Sequence, residues 1–171
     1  RRRWLLRLLL GSLLIVAVVF GPYLVSRWQS GKRRVQVFSS AQATTAHEVS
    51  SVSVLIYNIA HGRGPRGGNW DSPVVDDHKR IEQIAEFIRQ NNPDIVILNE
   101  VDFDCTWSGH QNQAEAIAAL ADYPHRVEQR NFDLRFVYGS WKFGNAVLSK
   151  CPIVDKQPIR YPVWNAWEDV F

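Results

Sequence analysis

The sequence predicts an α/β domain preceded by one transmembrane helix, and three observations lead to this prediction. Residues 52–58 and 94–100 are two short, almost wholly apolar runs of strand length. Between these runs, apolar residues recur at the spacing of one helix face. A third apolar run, at positions 8–25, has about 18 residues, which is near the short limit for a membrane span.

The apolar run at 8–25 is predicted to anchor the chain in a membrane, with residues 1–28 as the anchor and its basic flanks. Trp4 and Trp28 stand at its two ends, as aromatic residues do at membrane interfaces. A cleaved signal peptide is the alternative, but the small-x-small sequence at 41–43 lies well beyond the apolar run. Basic clusters on both sides disfavour a buried core helix.

Charge is unevenly distributed along the chain. Residues 1–34 carry eight Lys and Arg and no acid, whereas the remaining residues carry 12 Lys and Arg against 17 Asp and Glu. The basic pI therefore belongs to the flanks of the apolar run, and the acidic domain disfavours tight DNA binding. Four basic residues lie on each side of the run, so the positive-inside rule gives no orientation. We expect the domain to lie outside the cytoplasm.

Residues 29–51 are predicted to be a linker, because positions 39–46 are small and polar without any period. Such a linker would hold the domain, residues 52–171, away from the membrane surface. The two cysteines, Cys105 and Cys151, are too few for a disulfide framework. They are either paired in an oxidising compartment or present as two free thiols.

The first strand is predicted over residues 52–58 and ends at Asn58, and the second, over 94–100, ends at Glu100. The helix between them has apolar residues at i, i+3, i+4 and i+7: Ile81, Ile84, Ala85 and Ile88. Strand, helix and strand in this order indicate a right-handed crossover between parallel strands. Both strand ends then lie at the carboxyl edge of the sheet, where ligands bind. Asn58 and Glu100 should therefore converge on one site.

The loop at 61–70 holds four Gly and one Pro, but no Gly-Lys-Ser/Thr closes it as in a Walker phosphate loop. Asp76 or Asp77 is expected to cap the helix that follows. A second helix is predicted after Asn112, since Glu115 three residues later completes a variant of the capping box. Further strands are predicted within 125–138, over 144–149 after a turn at 139–140, and over 153–162.

Glu100 is the strongest candidate for chemistry. A carboxylate at the end of a buried strand is costly unless it is paired or bound to a cation. One carboxylate, together with water and a substrate phosphate, is how Mg²⁺ is usually held. The amide of Asn58 is suited to orient a phosphate oxygen or another carboxylate. The alternatives are an ion pair of Glu100 with Arg80 and a plain turn role for Asn58.

Two further residues are candidates for the same cleft. His61 follows the end of the first strand, and Asp102 follows Glu100 by two positions. The alternatives are a solvated loop histidine and a surface acid.

Four parts of the sequence stand out together: Tyr-Asn-Ile-Ala-His-Gly at 57–62, Pro-Asp-Ile-Val-Ile-Leu-Asn-Glu-Val-Asp at 93–102, Gln113, and Phe-Gly-Asn-Ala-Val-Leu-Ser-Lys-Cys-Pro-Ile at 143–153. In order and spacing they resemble the endonuclease/exonuclease/phosphatase superfamily, and in particular its bacterial, membrane-associated, metal-dependent hydrolases. The resemblance covers about residues 52–160. It implies a four-layer α/β sandwich and cleavage of a phosphoester with Mg²⁺ or Mn²⁺. It also implies that Glu100 binds the metal, that Asn58 orients phosphate or a catalytic Asp, and that Asn145 lines the cleft.

The sequence departs from this family in three respects. Asn99 replaces the Gln that precedes the metal-binding Glu, and no Asp-x-Asn occurs anywhere in the chain. The one Asp-His pair, Asp77-His78, lies at the start of the first helix and is interpreted as a helix cap. The resemblance therefore implies the amino-terminal half of a phosphodiesterase, nuclease or phosphatase, inactive by itself. The alternative function is a non-catalytic, membrane-anchored α/β binding module, and the substrate class stays open.

Overall fold

The computed structural model describes residues 2–33, 35–40, 50–64, 68–71, 73–136 and 138–157. Within these residues, three helices and five strands follow one another, and a short 3₁₀ turn at Ala60–Gly62 follows the second strand. The helices are α1 (Arg2–Arg33), α2 (Val74–Asn91) and α3 (Gln113–Leu120). The strands are β1 (Val35–Ser39), β2 (Val54–Asn58), β3 (Ile95–Cys105), β4 (His125–Phe136) and β5 (Gly139–Ser149).

The five strands form one mixed sheet in the order β1-β4-β5-β3-β2. β2 and β3 are parallel, with Asn58 opposite Asn99, and α2 provides the crossover between them. The other neighbouring strands are antiparallel. The predicted α/β class and the parallel pairing of the first two apolar runs are therefore confirmed.

The core lies between the sheet and the two helices α2 and α3. Residues that repeat at helical spacing face alternate residues of the central strands, and all of them are buried: Ile81, Ala85, Ile88, Ile117, Val96, Leu98, Ala146 and Leu148. Ile84 packs at the margin of this cluster. The helix face read from the sequence is thus the face that the sheet covers, and burial of this apolar surface holds the crossover in place.

The other face of the sheet carries a row of β-branched residues that crosses all five strands. Directly paired positions share a face, and the pairs run Ile56 with Ile97, Ile97 with Val147, Val147 with Val127, and Val127 with Val37. This row is exposed or half-exposed, and the side chain of Ile56 has 67% of its surface accessible. The described residues thus contribute one sheet with helices on one face, which is part of the predicted sandwich.

Within the described residues, one helix is long and apolar enough to cross a membrane. The span Arg2–Val25 in α1 has a mean hydropathy of 2.5, and none of it is buried. Its length and composition fit a membrane span, and they would equally fit a signal sequence because it lies near the N-terminus.

Several boundaries differ from the predictions. The interval 29–51 contains β1, which pairs with β4, so this part is an edge strand and not a linker. The alternation of Val35 and Val37 with polar residues was the signal for it. β5 begins at Gly139. Residues 139–140, predicted as a turn, are therefore part of this strand, which is longer than the predicted strand over 144–149. Residues 153–157 form no strand, and 158–162 lie outside the described residues.

Both helix caps can be compared with their predictions. α2 begins at Val74 with Pro73 as its N-cap, so Asp76 and Asp77 lie in its first turn and do not cap it. Asn112 does cap α3, because its Oδ1 accepts the backbone N–H of Glu115 at 3.0 Å. Its Nδ2 also donates to Oε1 of Glu128, a buried side chain on β4, at 2.8 Å.

Replacing Asn112 with Ala should lower the free energy of unfolding by about 1–2 kcal/mol. The change removes the cap and one of the donors to the buried Glu128 carboxylate, which retains Arg126. Denaturant unfolding measures the loss. Asn91→Ala is the control, since its exposed amide bonds only to a carbonyl of its own helix. Equal unfolding midpoints for the two variants would contradict the capping role.

Candidate functional site

The ends of β2 and β3 meet in a direct side-chain hydrogen bond. Nδ2 of Asn58 donates to Oε1 of Glu100 at 2.8 Å. Oδ1 of Asn58 accepts the backbone N–H of Ala60 at 2.8 Å. This bond fixes the orientation of the side-chain amide, with its NH₂ group towards Glu100. The predicted convergence of Asn58 and Glu100 at the carboxyl edge is therefore present in the structure. Glu100 pairs with Asn58 here, whereas Arg80 pairs with Asp77.

A β-bulge presents Glu100 at this edge. Leu98 pairs with Ala146 and Val101 with Gly144, so that two residues of β3 lie opposite Asn145 alone. Glu100 has a φ of 55°, a left-handed conformation that costs a non-glycine residue about 1–2 kcal/mol. Its side chain remains 45% exposed. Strain of this kind persists where the surrounding structure imposes it, and it concentrates at functional sites.

Asn145 lies on β5 opposite the bulge and pairs with Gln129 of β4 on its other side. Its side chain is half-buried. The register therefore brings Asn145 to the part of the sheet that holds Glu100, as the sequence motif implied.

His61 stands between the two carboxylates of Glu100 and Asp102. Its Nδ1 lies 2.7 Å from Oδ1 of Asp102, and its Nε2 lies 3.9 Å from Oε2 of Glu100. Asp102 is fully buried, and its Oδ2 accepts the indole N–H of Trp107 at 2.7 Å. The structure thus places both candidate cleft residues together. Asp102 is a buried partner of His61 and not a surface acid.

Gln113 ties this arrangement to α3, and sequence reasoning gave it no such role. Its Oε1 accepts the backbone N–H of Asp102 at 2.9 Å, and its Nε2 donates to the carbonyl of His61 at 2.7 Å. Gln113 is completely buried. The available signal was its position four residues before Ile117, which puts a polar residue on the apolar face of the helix.

Aromatic rings enclose the buried side of His61. The imidazole meets the rings of Phe143 and Trp107 edge to face, at centroid distances of 5.2 and 6.0 Å. Trp107 in turn contacts Trp141 and the exposed Trp70. These rings and the burial of Asp102 shield its hydrogen bond with His61 from water, and Nε2 is the imidazole nitrogen on the side of Glu100.

Neighbouring acids are held by other partners. Asp104 accepts hydrogen bonds from Lys142, His110 and Ser140. Burial alone would raise the pKa of Asp104. The three hydrogen bonds outweigh burial and lower this pKa to about 2. Asp77, of the Asp-His pair, is buried against Arg80, and burial raises the pKa of its carboxyl. The hydrogen bonds of both acids go to residues other than Glu100 and Asn58, so both serve local structure.

No group of three or more His, Cys, Asp or Glu side chains suited to hold a metal occurs in the part of the chain that the structure describes. Both cysteines are free thiols, Cys105 buried and Cys151 exposed. Burial raises the pKa of the Cys105 thiol, which makes it inert. A closed cysteine or histidine cage of the zinc-finger kind is therefore not present among these residues.

Comparison with known proteins gives one family and one solved structure. The profile of the Endonuclease/Exonuclease/phosphatase family matches residues 55–169. A solved structure described as an endonuclease/exonuclease/phosphatase from Beutenbergia cavernae DSM 12333 is 32% identical, with a TM-score of 0.44. The match covers 61% of this chain and 27% of that one, so this chain spans about a quarter of that protein's length. No curated protein matches.

Proposed function

Because this chain belongs to the endonuclease/exonuclease/phosphatase family, whose members are phosphoesterase- and nuclease-type hydrolases, we propose that the natural protein hydrolyses a phosphoester with the help of Mg²⁺ or Mn²⁺. The observation that carries this proposal is the pair of Asn58 and Glu100 at the carboxyl edge of the sheet, joined at 2.8 Å. The residues of the family motif that implied metal and phosphate binding are those that the fold brings together.

The donors at this edge fit a hard divalent cation. Glu100 offers a half-exposed carboxylate, of which one oxygen is held by Asn58 and the other accepts no hydrogen bond from the residues that the structure describes. Mg²⁺ keeps several waters and is bound through one or two carboxylates plus substrate phosphate, so a three-ligand cage is not required. Glu100 is therefore the residue that would hold the cation. When bound, the cation would stabilise charge on the phosphoryl oxygens and activate a water molecule.

The remaining residues of the site orient the Glu100 carboxylate and the phosphate, and they shield the site from water. Asn58 fixes the Glu100 carboxylate through its N–H, since its own oxygen is already bonded to the backbone of Ala60. Asn145 presents an amide from the opposite strand, which is suited to donate a hydrogen bond to a phosphoryl oxygen. The aromatic rings around His61 exclude water from the base of the site, which strengthens the electrostatic interactions at its mouth.

We also propose that α1 anchors the protein in a membrane and that the domain lies outside the cytoplasm. The span Arg2–Val25 supports the anchor. The proposed reaction makes a phosphate ester the substrate of the domain. The excess of acidic residues after residue 34 disfavours a long nucleic acid as this substrate. Lipid head groups, nucleotides and sugar phosphates carry the same reacting group.

Turnover of generic phosphoesters tests the proposal. The natural polypeptide, purified in detergent and freed of metal by a chelator, is offered bis(4-nitrophenyl) phosphate and 4-nitrophenyl phosphate. We expect hydrolysis of at least one of them that requires added Mg²⁺ or Mn²⁺. Asn58→Ala should reduce the rate about 10–100-fold, on the scale of losing a residue that orients a metal ligand. Asn91→Ala, on the exposed surface of α2, should not.

Two results would overturn the proposal. The first is no turnover of either ester with either cation, which favours the non-catalytic binding module. The second is turnover that persists undiminished in excess chelator.

A further inference from the structure

We propose that Nε2 of His61 is a second protein ligand of the divalent cation at this site, an inference that rests on the proposed function. We propose further that this imidazole shifts the site's preference from Mg²⁺ towards Mn²⁺ and other cations that accept nitrogen ligands. The starting point is that Nε2 of His61 and Oε2 of Glu100 lie 3.9 Å apart at the same edge.

Hydrogen bonding decides which imidazole nitrogen is free. Oδ1 of Asp102 faces Nδ1 of His61 at 2.7 Å, and Oδ2 accepts from the indole of Trp107, which can only donate. A carboxylate accepts, so Nδ1 carries a proton. In the neutral imidazole, Nε2 then has the lone pair that a cation needs. A histidine that binds metal usually donates its other N–H to a carboxylate in this way. Asp102 is fully buried, and its two oxygens face His61 and Trp107, so it acts here as the partner that orients the imidazole.

The imidazole is also held in place before any cation arrives. The backbone of His61 is in the left-handed region with a φ of 57°, and its carbonyl is bonded by Gln113. The ring is packed edge to face against Phe143 and Trp107, and only 12% of the side chain is exposed. A rigid ligand loses little freedom on binding, which favours affinity.

Glu100 supplies the adjustment that a shared cation needs. At bond lengths of roughly 2.0–2.2 Å, two adjacent ligand atoms on one cation lie roughly 3 Å apart, closer together than the observed separation. The 45% exposed carboxylate of Glu100 can pivot on its hydrogen bond to Asn58 and bring Oε2 towards His61, whereas the imidazole is packed against two rings. Water and a substrate phosphate would complete the coordination. An imidazole is a poor ligand for Mg²⁺ and a good one for transition metals, which is the origin of the expected preference.

Pulsed electron paramagnetic resonance of bound Mn²⁺ tests this directly, since a coordinated imidazole gives a ¹⁴N modulation. The natural polypeptide with one equivalent of Mn²⁺ should show this modulation, and His61→Ala should lose it. Mn²⁺ affinity should fall about tenfold or more in His61→Ala, with a smaller change for Mg²⁺. His110→Ala is the matched control, because His110 also bonds an Asp through Nδ1 but is exposed and lies outside the site. It should leave both quantities unchanged.

The possible results separate the two proposals. If Mn²⁺ binds and Glu100→Gln removes it, but the ¹⁴N modulation is absent or survives His61→Ala, the ligand role of His61 is wrong and the proposed function stands. If the natural polypeptide binds no Mn²⁺ at all, both proposals are overturned.

Discussion

Replacing Glu100 with Gln should abolish divalent-cation binding and reduce phosphoester turnover by about 10³-fold or more, which corresponds to roughly 4 kcal/mol of transition-state stabilisation. Gln has the size of Glu, and its carbonyl oxygen can still accept the N–H of Asn58, so the local fold should persist. What disappears is the negative charge. Because no other described carboxylate at this edge has a free oxygen facing solvent, no neighbour replaces it.

Initial rates at saturating Mg²⁺ and the unfolding midpoint together measure this effect. Glu82→Gln, an exposed acid on α2, is the control for a general change of charge. Glu100→Gln should unfold within about 1 kcal/mol of the unmodified protein, as half-exposed substitutions usually do. A variant that keeps more than about a tenth of the original rate would remove Glu100 from the chemistry.

Replacing Gly144 with Ala should destabilise the domain by about 3 kcal/mol or more, among the largest effects expected for a single methyl group. A Cβ at Gly144 would lie 2.0 Å from the carbonyl oxygen of Gln129 and 2.8 Å from the backbone nitrogen of Asn131. Both are main-chain atoms of β4 at a bulge, where Gly144 pairs with Arg130 and Phe143 pairs with Phe132. The strands must separate to admit the methyl group.

Denaturant unfolding of Gly144→Ala measures the loss. Because Asn145 follows directly, turnover should also fall in whatever fraction of the variant remains folded. Gly11→Ala is the control, since a Cβ at Gly11 in α1 meets no atom within 4 Å. A loss below about 1 kcal/mol for Gly144→Ala would mean that the close approach of β4 and β5 is not required for the fold.

The sequence pattern was sufficient to predict the crossover and the meeting of its strand ends. Period and apolarity identify β2, α2 and β3, and handedness leaves one way to connect them. Register then follows, so that Asn58 and Glu100 had to lie at one edge. The capping role of Asn112 could also be predicted, because a helix cap is a local interaction between residues three positions apart.

The interior of the site was not readable. His61 and Asp102 are 41 positions apart in the sequence. Their hydrogen bond depends on a left-handed turn at Ala60 and His61, and neither position holds the glycine that would predict such a turn. The bulge that exposes Glu100 arises from the pairing of β3 with β5, which a local pattern does not contain. Gln113 acts on residues of two other elements. Such contacts are set by tertiary packing. The one sign of them in the sequence is a polar residue, Gln113, on the apolar face of a helix.

β1 was missed because it is a five-residue edge strand in a region dominated by small polar residues. The row from Ile56 to Val37, in contrast, fits the resemblance. A second sheet packed face to face would cover such an apolar surface, as the four-layer sandwich of the family implies.

Equilibrium binding of Mg²⁺ and Mn²⁺ to the natural polypeptide is the measurement closest to the central claim, that Glu100 holds a catalytic divalent cation. Calorimetric titration of the metal-free protein should reveal binding at a site that Glu100→Gln eliminates and Glu82→Gln preserves. Identical titrations for the unmodified protein and Glu100→Gln would contradict the claim, whatever the turnover assays show.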